Sequence, residues 1–196
     1  ANVDILSESK LASLFEYVSN VCRCELQAYN PIVGAAQHSA VLHFPTGQSF
    51  DDGMSTIKKK DFILIDAAPA YRGYASDLTR TYISKPTDKF EILSKIVLNS
   101  QMAGIGAYKS GSKWSNVVNK TLEKLTEGLW KAGFLLSPTG TLAPLLDSGV
   151  ISIFMPHGVG HPVGLDVHDP YPASVSTHQQ AIAGLRGEYP LKLAND

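Results

Sequence analysis

The 196-residue chain carries 17 basic and 18 acidic side chains, a formal net charge of −1, and 44% hydrophobic residues. This balance excludes a broad basic footprint for nucleic acid and an acidic tail. No apolar run reaches the roughly 20 residues of a membrane span, and no signal-peptide pattern is visible. Cys22 and Cys24 are separated by one residue, too few for an unstrained disulfide, so we expect free thiols and a cytoplasmic location.

The N-terminal half predicts a helix followed by strands. Ser7 or Ser9 caps the helix, whose apolar residues recur at helical spacing at Leu11, Leu14, Phe15 and Val18. Strand-like runs follow at residues 25–33, 39–44, 61–67 and 76–83. The last two flank a turn segment at 69–73 and predict a hairpin.

The C-terminal half predicts two amphipathic helices, from residue 90 to about 108 and from 114 to about 130. Residues 139–147 are ambiguous, and 151–155 form a short apolar run that we interpret as a strand. The composition after Pro170 predicts loop. This order of elements indicates an α+β fold in one domain.

Two aspartates lie on the predicted hairpin. A register that places Tyr71 opposite Arg72 also places Asp66 opposite Asp77, with their Cβ atoms about 5 Å apart on one face. Like charges there repel, so one must be protonated or a cation must lie between them. The alternative is a one-residue slip that turns both side chains to solvent.

The strand around Asp66 favours the first alternative. Ile63 and Ile65 share one face, and Phe62, Leu64 and Asp66 share the other, so both faces are expected to be buried. An aspartate ending such a strand costs free energy unless it is paired or binds a metal.

Three of the six histidines lie in the segment MPHGVGHPVGLDVHD, at His157, His161 and His168. The segment is expected to hold little regular structure, at most one helical turn, on which His157 and His161 could face the same way. The glycines allow close backbone approach to a ligand. Such a cluster suits metal binding or proton transfer, although a loop of solvated histidines is the alternative. Taken alone, His43 is expected to be an ordinary strand-end residue, and two further histidines are expected at the surface, His38 and His178.

Three segments resemble the Xaa-Pro peptidases of the pita-bread (creatinase/aminopeptidase) fold. They are YNPIVG followed by AVLHF, IDAAPAYRGYASDLTRTY, and FMPHGVGHPVGLDVHD, and the resemblance extends from about Leu26 to about Asp169. It implies that Asp66 chelates one metal ion, that Asp77 bridges two, and that His161 binds the second.

The same resemblance implies the remaining roles. His157 and His168 line the substrate site and stabilise the tetrahedral intermediate, and His43 lies near the scissile proline. The implied chemistry is attack on an Xaa-Pro carbonyl by hydroxide held between two divalent ions. Oxygen-rich ligation with one imidazole favours Mn²⁺, while cobalt or zinc could bind in vitro.

Within the family, FMPHGVGH and the Tyr171-Pro172 pair resemble the dipeptidase (prolidase) branch more than the Xaa-Pro aminopeptidases. Methionine aminopeptidases fit less well, because they do not share the HGxGH and VHD segments. The expected partners are small Xaa-Pro peptides, with no nucleic acid and no membrane; a homodimer is left open.

The chain departs from the family at two metal ligands. The family pattern includes two glutamates after the histidine, and the one glutamate in that part of this chain, Glu188, does not match either context. We therefore expect a partial catalytic domain that lacks the last sheet strands, has no N-terminal domain and shows impaired hydrolysis. The alternative class is a pita-bread module that binds peptides or proteins without catalysis. The encoded sequence beyond Asp196 would discriminate between the two.

Overall fold

The computed structural model describes residues 6–47 and 56–170. They form two compact units, one of residues 6–47, 56–86 and 161–170, and the other of residues 87–160. The sequence predictions for the segment after Pro170, which include His178 and Glu188, lie outside the described residues.

The first unit begins with the predicted helix. Helix α1 spans Glu8–Val21, and the hydroxyl of Ser7 accepts a hydrogen bond of 3.3 Å from the backbone N–H of Lys10. Ser7 is therefore the cap, and Ser9 lies inside the helix. Such a cap stabilises a helix by about 1 kcal/mol.

Two small antiparallel sheets complete the first unit. The strands are β1 Leu26–Gln27, β2 Ile32–Ala35, β3 Phe62–Asp66, β4 Pro69–Ala70 and β5 Thr79–Ile83. Strand β1 pairs with β4, and the larger sheet has the order β2-β3-β5. The strand predicted at 61–67 is confirmed as β3. The burial prediction was wrong for Phe62, which is exposed, while the rest of β3 is half-buried.

The predictions on either side of Gly34 were wrong. The run 25–33 is broken into β1 and β2, and residues 39–44 are not a strand, because Ala36–Ala40 form a 3₁₀ turn. Gly34 lies inside β2, where an added Cβ would be 2.7 Å from the carbonyl oxygen of His38. The lack of a side chain at Gly34 lets the 3₁₀ turn pack against β2. Gly34 therefore does not separate two strands, as the sequence had suggested.

Gly34→Ala is expected to lower the free energy of unfolding by about 1–3 kcal/mol, because the added methyl group meets rigid backbone and not a movable side chain. Gly106→Ala is the matched control. No atom lies within 4 Å of its added Cβ, and alanine favours a helix over glycine by about 1 kcal/mol. Urea denaturation measures both, and equal effects of the two changes would contradict the steric explanation.

The hairpin register differs from the predicted one by two residues. Asp66 pairs with Thr79, and Tyr71 bridges to Tyr74 around Arg72 and Gly73. Those two loop residues have φ of 51° and 81°, the positive pair that a tight two-residue hairpin turn prefers. The prediction that paired Tyr71 with Arg72 left no residues for this loop.

As a consequence Asp77 lies two residues before β5 and is not directly opposite Asp66. The hydrogen bond from the N–H of Ala67 to the carbonyl of Leu78, 3.2 Å, continues the observed register beyond the strands. Side chains alternate with period two, so a shift of two residues keeps both aspartates on the predicted face.

The second unit is mainly helical. It contains α2 Asp88–Ala107, α3 Trp114–Lys131 and α4 Ala143–Asp147, which confirms the two long helices and resolves the ambiguous segment. Its core is formed by Ile96, Leu125, Leu129, Leu135, Leu145 and Ile151. The strand predicted at 151–155 was wrong, because Gly149 at φ 64° leads into a 3₁₀ turn, Val150–Ile153. No helix in the described parts of the chain has the length and apolarity to cross a membrane.

Candidate metal centre

Asp66 and Asp77 converge on the hydroxyl of Tyr29. That hydroxyl contacts Oδ1 of Asp66 and lies 2.9 Å from Oδ1 of Asp77. Tyr29 occupies this position because it precedes β2, in which Ile32 pairs with Asp66. A phenol has one hydrogen to donate, so it satisfies one carboxylate at a time. The pair therefore retains negative charge that a cation can compensate.

The hydroxyl of Tyr29 is held in its neutral form. Partial burial raises the pKa of Tyr29 well above its usual value, and hydrogen bonding to the two carboxylates and their negative charges raise it further. Tyr29 is thus a donor at neutral pH that orients the two carboxylates.

The imidazole of His161 faces the carboxylate of Asp77 through Nε2. Its Nδ1 lies 2.9 Å from the carbonyl oxygen of Pro162, which can only accept, so Nδ1 carries a hydrogen. In neutral imidazole this leaves a lone pair on Nε2, which lies 3.0 Å from Oδ2 of Asp77. A lone pair facing a carboxylate repels it unless a cation or a second proton lies between them. A histidine fixed through Nδ1 by a carbonyl is the usual arrangement of a metal ligand.

His168 lies beside these groups. Its ring centroid is 4.1 Å from that of His161, and one ligand atom each of Asp77, His161 and His168 lie within 4.8 Å of one another. The resemblance assigned His168 to the substrate, whereas this geometry also allows it to bind an ion. Asp66 is linked to Asp77 by the hydroxyl of Tyr29, which contacts both carboxylates.

The segment that carries His161 and His168 forms a loop closed by a backbone hydrogen bond. The N–H of Asp169 donates to the carbonyl of Pro162 at 3.1 Å, and the N–H of Ala75 donates to the carbonyl of Gly164 at 2.8 Å. The second bond ties the segment to the chain just before Asp77. The expected lack of regular structure is confirmed: residues 156–170 contain no helix, so the single helical turn that the sequence left open is absent, because glycines and Pro162 disfavour one.

The other predicted histidines lie in different places. His43 is exposed and lines a cavity of roughly 430 Å³, together with Asp66, Asp77 and His168. His157 belongs to the second unit, where it is exposed and its Nδ1 lies 2.8 Å from the carbonyl oxygen of Gly158. His38 was predicted at the surface but is half-buried, with Nδ1 2.8 Å from Oε1 of Glu8.

The family model of metallopeptidase family M24 matches residues 3–188. The chain belongs to metallopeptidase family M24. Its strands and helices are the corresponding part of the α+β pita-bread fold of this family.

Similar M24 proteins are named as Xaa-Pro aminopeptidases. The chain is 33% identical over 168 residues to "Probable Xaa-Pro aminopeptidase PEPP" of Ajellomyces dermatitidis, covering 84% of this chain and 35% of that protein. Pseudomonas aeruginosa aminopeptidase PepP gives a TM-score of 0.79 at 26% identity, over 95% of this chain and 39% of that one. Zinc-substituted Escherichia coli aminopeptidase P in complex with product gives 0.80 at 26% identity, over 96% and 39%. The chain thus spans a little over a third of the length of these relatives.

Sequence reasoning missed Tyr29. The signal was present, because Tyr29 lies just before the strand that pairs with β3, three residues from the partner of Asp66. Pairing the strands β2 and β3 before searching for polar neighbours would have placed it beside both aspartates.

Proposed function

We propose that this chain carries the metal-binding part of an Xaa-Pro peptidase. Membership of family M24 and likeness to Xaa-Pro aminopeptidases support this proposal. The observation that carries it is the arrangement of His161, whose Nδ1–H is fixed by the carbonyl of Pro162 while Nε2 faces Asp77.

In this proposal Asp66 would hold one divalent ion, His161 would hold a second, and Asp77 would contribute to holding both. The donor set is rich in oxygen with a single imidazole, which favours Mn²⁺. When bound, such ions supply a Lewis acid and activate water for attack on a peptide carbonyl. The hydroxyl of Tyr29 contacts both carboxylates and donates its one hydrogen to either of them, which keeps the two groups close together.

The cavity beside the aspartates is the proposed peptide site. Its volume of roughly 430 Å³ lies within the range of small-ligand sites, about 300–1,000 Å³. His43 and His168 line it and are proposed to contact the substrate, His43 near the proline and His168 near the scissile carbonyl. We assign the same role as His168 to His157 on the resemblance alone.

Dipeptides are the proposed preferred substrates. The relatives named above are aminopeptidases, so substrate length is the decisive comparison. Binding of Ala-Pro is compared with binding of Ala-Pro-Ala by titration calorimetry, both with Mn²⁺. Tighter binding of the tripeptide would place this site with the aminopeptidases.

His168→Ala is expected to leave the bound Mn²⁺ content near that of the wild type while weakening peptide binding and lowering any hydrolysis rate. The reason is that His168 is proposed to contact the substrate and not the ion. Titration calorimetry at a fixed Mn²⁺ concentration range measures the metal bound by each protein, and Leu165→Ala, an exposed change in the same segment, is the control. Loss of metal in the His168 variant would instead make it a ligand, as its distance to Asp77 and His161 allows.

A peptide-binding module without catalysis is the second candidate, favoured by the cavity, which has room for a small peptide without an ion. It predicts binding of Ala-Pro that does not depend on Mn²⁺, whereas the peptidase proposal predicts binding that does. Calorimetry with and without Mn²⁺ discriminates between them.

We keep the cytoplasm as the expected location, with Cys22 and Cys24 as free thiols.

A further inference from the structure

One carboxylate outside the metal centre is fully buried. Glu8, in the first turn of α1, has 0% of its side chain exposed. Its Oε1 accepts hydrogen bonds from the N–H of Ala35 at 2.7 Å and from Nδ1 of His38 at 2.8 Å. Its Oε2 is buried and has no hydrogen-bond partner among the residues that the structure describes. Burying a carboxylate is costly even when it is paired, so this arrangement invites a functional explanation.

The bonds of Glu8 fix a strained piece of backbone. Ala36 follows directly after the bonded N–H of Ala35 and has φ of 50°, a left-handed conformation that costs a non-glycine residue on the order of 1 kcal/mol. The hydroxyl of Ser39 donates to the carbonyl of Ala36 at 2.6 Å. Such strain persists only where the surroundings enforce it, and the buried carboxylate of Glu8 is one of the groups that do so.

The strained turn leads into one wall of the cavity. His38 stacks on Phe44 with ring centroids 4.2 Å apart, and Phe44 and its neighbour His43 both line the cavity. At the far end of this wall, the hydroxyl of Thr46 accepts from the N–H of Val33 at 2.8 Å and donates to its carbonyl at 3.0 Å. We call residues 41–47 the wall, since residues 43–46 line the cavity. The wall is therefore held by Glu8 and His38 on one side and by β2 on the other.

We propose that Glu8 and His38 are positioning residues that hold the wall of residues 41–47 so that His43 and Phe44 face the peptide site. Neither residue lines the cavity. Glu8 fixes the turn and the ring of His38, and that ring in turn fixes Phe44. The inference rests on the proposed function only in naming the occupant of the cavity as a peptide.

Four variants separate the parts of this arrangement. Glu8→Leu keeps a similar volume and removes the acceptor, while Glu8→Gln keeps one acceptor oxygen for both donors. His38→Phe keeps the aromatic ring on Phe44 and removes the bond to Glu8. Glu16→Leu, an exposed change on the same helix, is the matched control.

Amide hydrogen exchange in the 196-residue chain is the primary measurement. We expect exchange of the hydrogen-bonded N–H groups of this wall, those of Val41 and Thr46, to accelerate at least about tenfold in Glu8→Leu and His38→Phe, with β3 unchanged. Glu8→Gln should remain within about threefold of the wild type, and Glu16→Leu should match it. Unchanged exchange of the wall in His38→Phe would overturn the proposal, as would equal acceleration in β3. If Glu8→Leu does not fold, His38→Phe decides the question, because His38 is half-exposed.

Ligand titrations add a second readout. At saturating Mn²⁺, the Kd for Ala-Pro should rise about tenfold in His38→Phe while the Kd for Mn²⁺ stays within about threefold, because the change acts on the wall and not on the metal ligands. An equal loss of both affinities would contradict a positioning role. Failure of the wild-type chain to bind Ala-Pro would contradict the proposed function, whereas the exchange comparison would still decide whether Glu8 and His38 hold the wall.

Discussion

Asp77→Asn is expected to weaken Mn²⁺ binding at least about 100-fold and to abolish any Xaa-Pro hydrolysis, because this carboxylate is proposed to lie between two ions. Its Oδ1 lies 2.9 Å from the hydroxyl of Tyr29 and its Oδ2 3.0 Å from Nε2 of His161. An amide supplies one neutral oxygen in place of two charged ones. Its NH₂ group, whichever way it points, cannot bind a cation.

Calorimetric titration with Mn²⁺ measures this effect. Asp166→Asn is the matched control, because it removes the same charge from an exposed position in the segment that carries His161. The control should bind Mn²⁺ like the wild type. Comparable affinities in Asp77→Asn and the wild type would remove Asp77 from the ligand set and would leave its contact with His161 as an ion pair.

The sequence predicted the elements better than the contacts between them. Helices α1, α2 and α3 and strand β3 were visible as apolar periodicity, which depends on local residues alone. The strand predicted at 39–44 failed because Gly34 was taken as a separator. The tight contact between Gly34 and the carbonyl of His38 is a packing fact that no periodicity encodes.

The aspartate pair shows how a wrong detail can leave a conclusion intact. The predicted register was two residues off because the loop takes Arg72 and Gly73 at positive φ. Since the error was an even number of residues, Asp66 and Asp77 still converge, now through the hydroxyl of Tyr29. A one-residue error would have reversed the conclusion.

The positions of the site histidines depend on tertiary structure even more than those of the two aspartates. The sequence predicted little regular structure in their segment and left open one helical turn that would align His157 with His161. The segment is irregular throughout, and His161 is oriented by the carbonyl of the next residue, Pro162. The proximity of His168 to Asp77 results from a loop closed by backbone hydrogen bonds. The resemblance identified these residues, but the proximity of their ligand atoms depends on the folded chain and could not be predicted from the sequence.

The 196-residue chain is expected to bind Mn²⁺ with a Kd of about 10⁻⁴ M or weaker, the range of divalent-ion sites that have few charged ligands. Mn²⁺ favours about six ligands, and the proposed set of Asp66, Asp77 and His161 leaves most positions to water. His168, whose ligand atom lies within 4.8 Å of those of Asp77 and His161, would add one donor at most. The glutamates that complete the family's pattern have no match in this sequence.

Hydrolysis of Ala-Pro by this chain should therefore be negligible. Both carboxylates contact Tyr29 and would be taken up in holding the ions, so neither would be left as a general base, a role that typically contributes 10²- to 10⁴-fold to the rate. Titration calorimetry and a proline-release assay measure the two quantities on the same sample, with Asp77→Asn as the background. Tight binding of two ions with rapid turnover would mean that Glu188 or another residue supplies the missing carboxylates. The ligand set would then have to include residues other than Asp66, Asp77 and His161.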